Sequence, residues 1–299
     1  MGCTLTCTKN REKLPLAAAA ASSNSMKFPI QFPIITASNG ALVDLSALTT
    51  PGTWLNDEHV NAYLELVQQK RGRGGNVLLM STHFLTKLLG PDGESYEFDR
   101  VRRWTSTKRL LKKADVESMF NSSLESVLVP VHVGGMHWWL CAVDLKNRNV
   151  HCLDSARDGS EKWDVSRGSN ACKSVVRWLV DVEMAEMKQR RCVSATATAT
   201  TTTTTTTKTT TQNTLPTVIA PERWKVNLAP HLAPQRDPKQ SGDCGVFVCV
   251  NADWWATAAF NGKDLEDVSR YSTLRSKDMY RARIVIASLL LAEHRTCKI

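Results

Sequence analysis

Apolar positions along the chain change period several times, and each change marks a predicted element. Residues 28–48 alternate apolar and polar side chains in the manner of a strand. Trp54-Leu55-Asn56-Asp57-Glu58 opens a predicted helix over 56–70, with Val60, Leu64 and Val67 at helical spacing and Asn56 or Asp57 as its N-cap. A second helical stretch is predicted over 76–90 and a basic one over 100–120. Two strands, 127–133 and 138–145, are joined through Gly134-Gly135, and the turn Lys146-Asn147-Arg148-Asn149 leads to a third over 150–153. A helix rich in Val, Trp and Met follows over 171–188. Further on, 224–228 reads as a strand, 230–241 as a loop, 242–259 as an apolar helix and 276–294 as a last helix. Strands in the middle with helices at both ends predict a single α+β domain, a central sheet flanked by helices.

Two stretches lack any such period. Residues 1–27 mix basic residues with an Ala/Ser run too poor in large apolar groups to pack, and read as a disordered tail. Residues 193–214 are a Thr/Ala tract without periodic large side chains, and read as a low-complexity insertion in a domain that otherwise spans 28–299.

Composition narrows the classes. With 299 residues, 42% of them apolar, the chain can bury a sizeable core. The net charge of +9 favours acidic partners without choosing among nucleic acid, anionic lipid and acidic protein. Arg100, Arg102, Arg103, Lys108, Arg109, Lys112 and Lys113 give one basic run, which reads as a solvated face. Nine cysteines stand without a paired framework and with no secretory segment before them, so a reducing compartment is expected. No pair of facing C-x-x-C motifs supports a zinc site, no cofactor is implied, and no run approaches the roughly 20 apolar residues of a membrane span. Met1-Gly2-Cys3-Thr4-Leu5-Thr6 fits the pattern for myristoylation of Gly2, and Cys3 beside it offers a site for palmitate, the second chain that stable anchoring needs.

The chemistry concentrates in three short segments. Asp243-Cys244-Gly245-Val246-Phe247 follows a loop and begins the apolar helix, where free N–H groups and roughly half a positive charge favour a thiolate. Cys249, one turn on, reads as inert core. His137 opens a strand just after a Gly-Gly turn, and Asp154, seventeen residues further, ends the adjacent strand, so both side chains reach one end of the sheet. In that arrangement His137 takes the proton of Cys244 and later returns it to the leaving amine, while Asp154 holds the imidazole tautomer. The Cys244 N–H supplies one oxyanion donor and a side-chain amide from the preceding loop the natural second; losing a donor costs on the order of 100-fold in rate.

Trp-Leu-Asn-Asp, His-Trp, Asp-Ser and Asp-Cys-Gly-Val-Phe, in this order, resemble the ubiquitin-like-protein-specific protease family, whose SUMO-specific members are also called sentrin proteases. The similarity covers residues 28–299 apart from the Thr tract, and includes Phe84-Leu85-Thr86-Lys87-Leu88 and Val101-Arg102-Arg103-Trp104-Thr105. The resemblance implies a papain-like α+β fold with His137, Asp154 and Cys244 as the catalytic residues. It implies that Trp54 and Trp138 flank a narrow tunnel for the modifier's Gly-Gly tail, since flat aromatic walls accept glycine backbone and exclude a Cβ. It also implies that Asp57 meets a basic residue of the modifier, although an N-cap role explains Asp57 equally well. The family's oxyanion Gln stands six residues before the Cys, where this chain has Pro238; Gln240 takes that place if the loop is two residues shorter, Gln235 if it is longer.

The expected activity is thiol isopeptidase or endopeptidase cleavage after the Gly-Gly of a ubiquitin-like modifier, by deconjugation or precursor maturation. SUMO leads because the Arg-Arg-Trp-Thr segment resembles that branch; NEDD8- or ubiquitin-directed cleavage is the alternative. A catalytically impaired binder of such modifiers is a second class, against which the intact Cys, His and Asp count. A nucleic-acid-binding protein is a third, resting on charge alone and without a recognisable motif. The family points to nucleus and cytoplasm, and the N-terminal motif to membrane. A Gly2→Ala variant is expected to leave membranes when imaged beside wild type; identical distributions would dismiss the lipid anchor.

Overall fold

Strand pairing gives the molecule its frame. The computed structural model describes residues 32–72, 76–120, 122–156, 165–201, 221–228, 242–263, 265 and 278–296. Five strands form one sheet in chain order: β3 (Val77–Leu79), β4 (Ser126–Val133), β5 (His137–Asp144), β6 (Asn149–Leu153) and β7 (Lys225–Asn227). The middle pairs, β4 with β5 and β5 with β6, are antiparallel, whereas β3 and β7 join the edges in parallel. A separate two-stranded ribbon pairs β1 (Ile34–Thr36) with β2 (Leu42–Asp44).

The sheet divides the interior into two cores, which is why β5 is apolar almost without interruption. Trp138, Leu140 and Ala142 enter one core with the helices α2 (Asp57–Val67), α6 (Cys244–Phe260) and α7 (Met279–Thr296). Trp139, Cys141 and Val143 enter the other, with α3 (His83–Leu89) and α5 (Val165–Thr201). Two shorter helices are α1 (Leu45–Thr49) and α4 (Thr107–Ala114). α6 is sandwiched rather than surface-laid: 14 of its 17 residues are buried, so it is apolar on every side.

The predicted strands over 127–133, 138–145 and 150–153 form within one residue of those limits. Asn56, not Asp57, caps α2: its side chain accepts the His59 N–H at 3.1 Å, and His59 Nδ1 accepts the Asn56 N–H at 3.3 Å. His59 thus completes a capping box normally closed by Glu or Gln. Burial lowers its pKa, which suits the neutral ring that this acceptor role requires.

Other segments depart from the periodic reading. The stretch 76–90 is not one helix: β3 comes first and α3 follows, because Val77, Leu78, Leu79 and Met80 are all buried and a short continuous apolar run carries no period to distinguish strand from helix. In 100–120 only α4 is α-helical, and Arg102–Thr105 is a 3₁₀ turn; Arg102, Arg103, Lys108 and Lys112 are exposed. The alternation over 28–48 resolves into β1, β2 and α1 from residue 32 onward. Helix α5 extends past both predicted ends, and its last residues are the first of the Thr/Ala tract. Gly2, Cys3, the tail over 1–27 and the tract beyond 201 lie outside the described residues. No helix among the described residues is long and apolar enough to cross a membrane.

The second core contains an aromatic cluster at Phe84, fully buried, with Trp178 edge-on at 4.8 Å and Trp104 tilted at 5.5 Å between ring centroids. Phe84→Ala is expected to lower unfolding free energy by about 3–5 kcal/mol through the cavity and the lost ring contacts. Urea denaturation measures it; a loss below about 1 kcal/mol would mean that the cluster relaxes around the gap.

Candidate active site

Cys244 is the first residue of α6 and 4% exposed. The first-turn N–H groups of such a helix have no carbonyl partner within it, so they and the helix dipole face whatever approaches the sulfur. The chain reaches this position through Gly242, which has φ of +56°. A Cβ there would meet the carbonyl oxygen of Gly52 at 2.5 Å and Trp54 Cδ1 at 2.8 Å, so this glycine is required for both conformation and space. Gly245 is constrained from the same side, since its Cβ would stand 2.9 Å from Leu55 Cβ. The segment 52–55 is therefore pressed against the start of the helix.

His137 is the first residue of β5 and Asp154 directly follows the last residue of β6. Because these strands are antiparallel neighbours, the two residues meet at one end of the sheet, and His137 Nε2 lies 2.7 Å from Asp154 Oδ1. The same oxygen accepts the Ala156 N–H at 2.9 Å, which fixes the carboxylate. With Nε2 so engaged, Nδ1 is the nitrogen left to face the Cys244 side chain, which also acts to raise the pKa of the ring. Burial disfavours charge on His137, but the hydrogen bonds and charges of Asp154 and Cys244 outweigh it and raise its pKa to about 9. Such a ring is imidazolium at neutral pH beside the Cys244 sulfur, a state from which it can donate a proton.

The aromatic residues are placed unequally. Trp54 is 41% exposed, next to the turn that leads into Cys244. Trp138 is 1% exposed; its indole N–H donates to the Leu55 carbonyl at 2.8 Å, and His132 stacks on it at 3.9 Å with rings 2° from parallel. Asp57 lies in the first turn of α2 and its charge acts on His132, close enough to oppose the lowering of that ring's pKa by burial. Gln240 and Gln235 lie outside the described residues. Among the described residues no cluster of His, Cys, Asp or Glu is arranged to hold a metal ion.

The family model for the Ulp1 protease family, C-terminal catalytic domain, matches residues 53–298. The chain belongs to the Ulp1 protease family. That places its domain among the cysteine-type peptidases. A ubiquitin-like-specific protease 1A of Arabidopsis thaliana is 34% identical over 119 residues, 38% of this chain and 21% of that protein. A sentrin-specific protease 2 of Homo sapiens is 27% identical over 203 residues, 67% of this chain and 25% of that protein. The chain thus spans about a fifth to a quarter of the length of these two relatives. In fold it resembles the yeast Ulp1 protease domain solved in complex with Smt3, with a TM-score of 0.55, 16% identity, and coverage of 93% of this chain and 92% of that one. The Ulp1-like SUMO protease domain of Chaetomium thermophilum gives a TM-score of 0.52 at 16% identity, covering 92% and 87%.

Two residues at this Ulp1-family site escape a reading by motif, His132 and Arg283. The signal for His132 is its register, since the Gly-Gly hairpin sets it directly across from Trp138. The signal for Arg283 is a charge on the buried stripe Met279, Ala282, Ile286 and Leu290 of α7.

The raised pKa of His137 has a consequence for stability. A group whose folded pKa lies above its unfolded value stabilises fully below the unfolded pKa, near 6.5, and loses that contribution as pH rises through about 9. The amount is on the order of 3 kcal/mol. Between pH 6 and 9.5, wild type is expected to lose more unfolding free energy than Asp154→Asn, in which the carboxylate charge is gone; equal losses in urea titrations would show that Asp154 does not hold the proton.

Proposed function

We propose that the chain is a ubiquitin-like-modifier protease in which Cys244 is the nucleophile, His137 its proton acceptor and donor, and Asp154 the group that orients His137. One observation carries this reading. The His137 ring bonds Asp154 through Nε2 at 2.7 Å and stands beside the side chain of Cys244 at the N-terminus of α6. Transfer of the thiol proton to Nδ1 gives a thiolate beside an imidazolium, and the sulfur attacks the carbonyl carbon of the modifier's last glycine. The tetrahedral oxyanion forms next to the Cys244 N–H, with Gln240 of the preceding loop as the proposed second donor and Gln235 the alternative. The imidazolium protonates the departing amine, the C–N bond breaks, and a thioester stays on Cys244. Water, deprotonated by the same ring, then releases the modifier's carboxylate.

Trp54 and Trp138 are the proposed walls of the passage for the glycine tail, and Asp57 the proposed contact for a basic residue of the modifier. The approach of Gly52 and Trp54 to Gly242 supports this placement, since it sets one wall beside the nucleophile's turn. SUMO is the favoured modifier: relatives in the same family are named sentrin-specific proteases, and the yeast Ulp1 domain with the same fold was solved with Smt3.

Incubation of the purified protein with SUMO, NEDD8 and ubiquitin, each carrying a C-terminal electrophile, tests the reading beside Cys244→Ala. A covalent adduct with SUMO, absent from the variant, is expected. An adduct with another modifier alone would replace SUMO, and no adduct from folded protein would leave a binding module in place of an enzyme.

A further inference from the structure

The proposed reaction makes no use of the most completely buried cation near the site. Arg283 of α7 is 0% exposed, and its donors converge on the turn that carries Cys244. Nε and Nη2 donate to Asp243 Oδ1 at 3.0 and 2.9 Å. Nη2 also reaches the Gly242 and Thr53 carbonyls, both at 2.8 Å, and Nη1 reaches the Leu48 carbonyl at 3.2 Å. One planar group therefore ties three stretches of chain: the end of α1, the strand of backbone leading into Trp54, and the two residues before the nucleophile.

Two features make this more than a buried ion pair. Asp243 stands at the N-cap of α6, where a carboxylate normally accepts first-turn N–H bonds, yet its side chain makes no capping bond. The carboxylate is directed to Arg283 instead, and the N–H groups around Cys244 are spared an internal acceptor. In addition, Gly242 and Gly245 let the segment 52–55 come within contact of α6, but glycines only permit an approach; the Arg283 fork, bonded to Thr53 on one side and Gly242 and Asp243 on the other, holds it.

We infer that Arg283 is a positioning residue: it clamps the Trp54 wall to the turn of Cys244 and keeps the Asp243 carboxylate off the helix N-terminus where the oxyanion is to form. The inference rests on the proposed protease reading. Lysine keeps the charge but is a point donor without the planar fork, so it cannot serve a carboxylate and carbonyls on both sides at once.

The test compares wild type with Arg283→Lys in hydrolysis of a SUMO C-terminal fluorogenic amide, with rates divided by the fraction of chains whose Cys244 peptide is alkylated by limiting iodoacetamide in the native protein, read by mass spectrometry against the Cys192 peptide. Misfolding exposes the buried Cys141, Cys152, Cys172 and Cys249 to alkylation as activity falls, whereas loss of positioning leaves them protected and lowers kcat per reactive Cys244, by about tenfold or more, with KM changed less. Hydrogen exchange over 50–56 and 242–247 is expected to rise in both segments together in the variant. A kcat per site within twofold of wild type, or unchanged exchange in the two segments, would overturn the role. A wild type that turns over neither the SUMO amide nor the corresponding NEDD8 and ubiquitin amides strikes the protease reading itself, and the exchange measurement then still decides whether Arg283 is the clamp.

Discussion

Close approach between the segment 52–55 and the first turn of α6 is the constraint on which the site depends. Helix and segment come from opposite ends of the sequence, and neither has a regular hydrogen-bonded ladder to the other. What allows contact is the missing Cβ at Gly242 and Gly245, where a methyl group would stand 2.5 Å from the Gly52 carbonyl and 2.9 Å from Leu55 Cβ. The same contact puts Leu55 in reach of Trp138, whose indole N–H takes the Leu55 carbonyl, so β5 is fixed to this segment as well. Cys244, Trp54 and the strand that begins with His137 thus share one short stretch of backbone as their common reference.

The second requirement is met by the sheet. Antiparallel pairing of β5 with β6 places the start of one beside the end of the other, so a residue that opens β5 and a residue that follows β6 meet however the rest of the sheet is decorated. Burial by itself would strip the charge from His137; the 2.7 Å bond to a carboxylate fixed by its own backbone contact reverses the sign. Position and protonation follow from the same pairing.

Much of this was legible in residue patterns. His137 and Asp154 sit next to strand ends marked by glycines and by a polar residue closing an apolar run, and Cys244 sits where a Gly-bearing loop gives way to an apolar helix. Those signals are local, and the strands and helices that carry them formed close to the expected limits. Long-range constraints were not legible in the same way. The apolar run of β3 has no period, so its parallel partner, not its composition, makes it a strand. His132 acquires meaning only through its register opposite Trp138, and Arg283 only through carbonyls 230 and 235 residues away in sequence. The capping role of Asn56 needed the unusual reciprocal bond from His59 before it could be separated from Asp57.

Helix α5 leaves the body of the protein before it ends: residues 188–192 are all exposed, and it runs on to Thr201. The Thr/Ala tract of the sequence begins directly after these five exposed positions, so a change of residue number from that point on need not repack either core or the sheet end that carries His137 and Asp154.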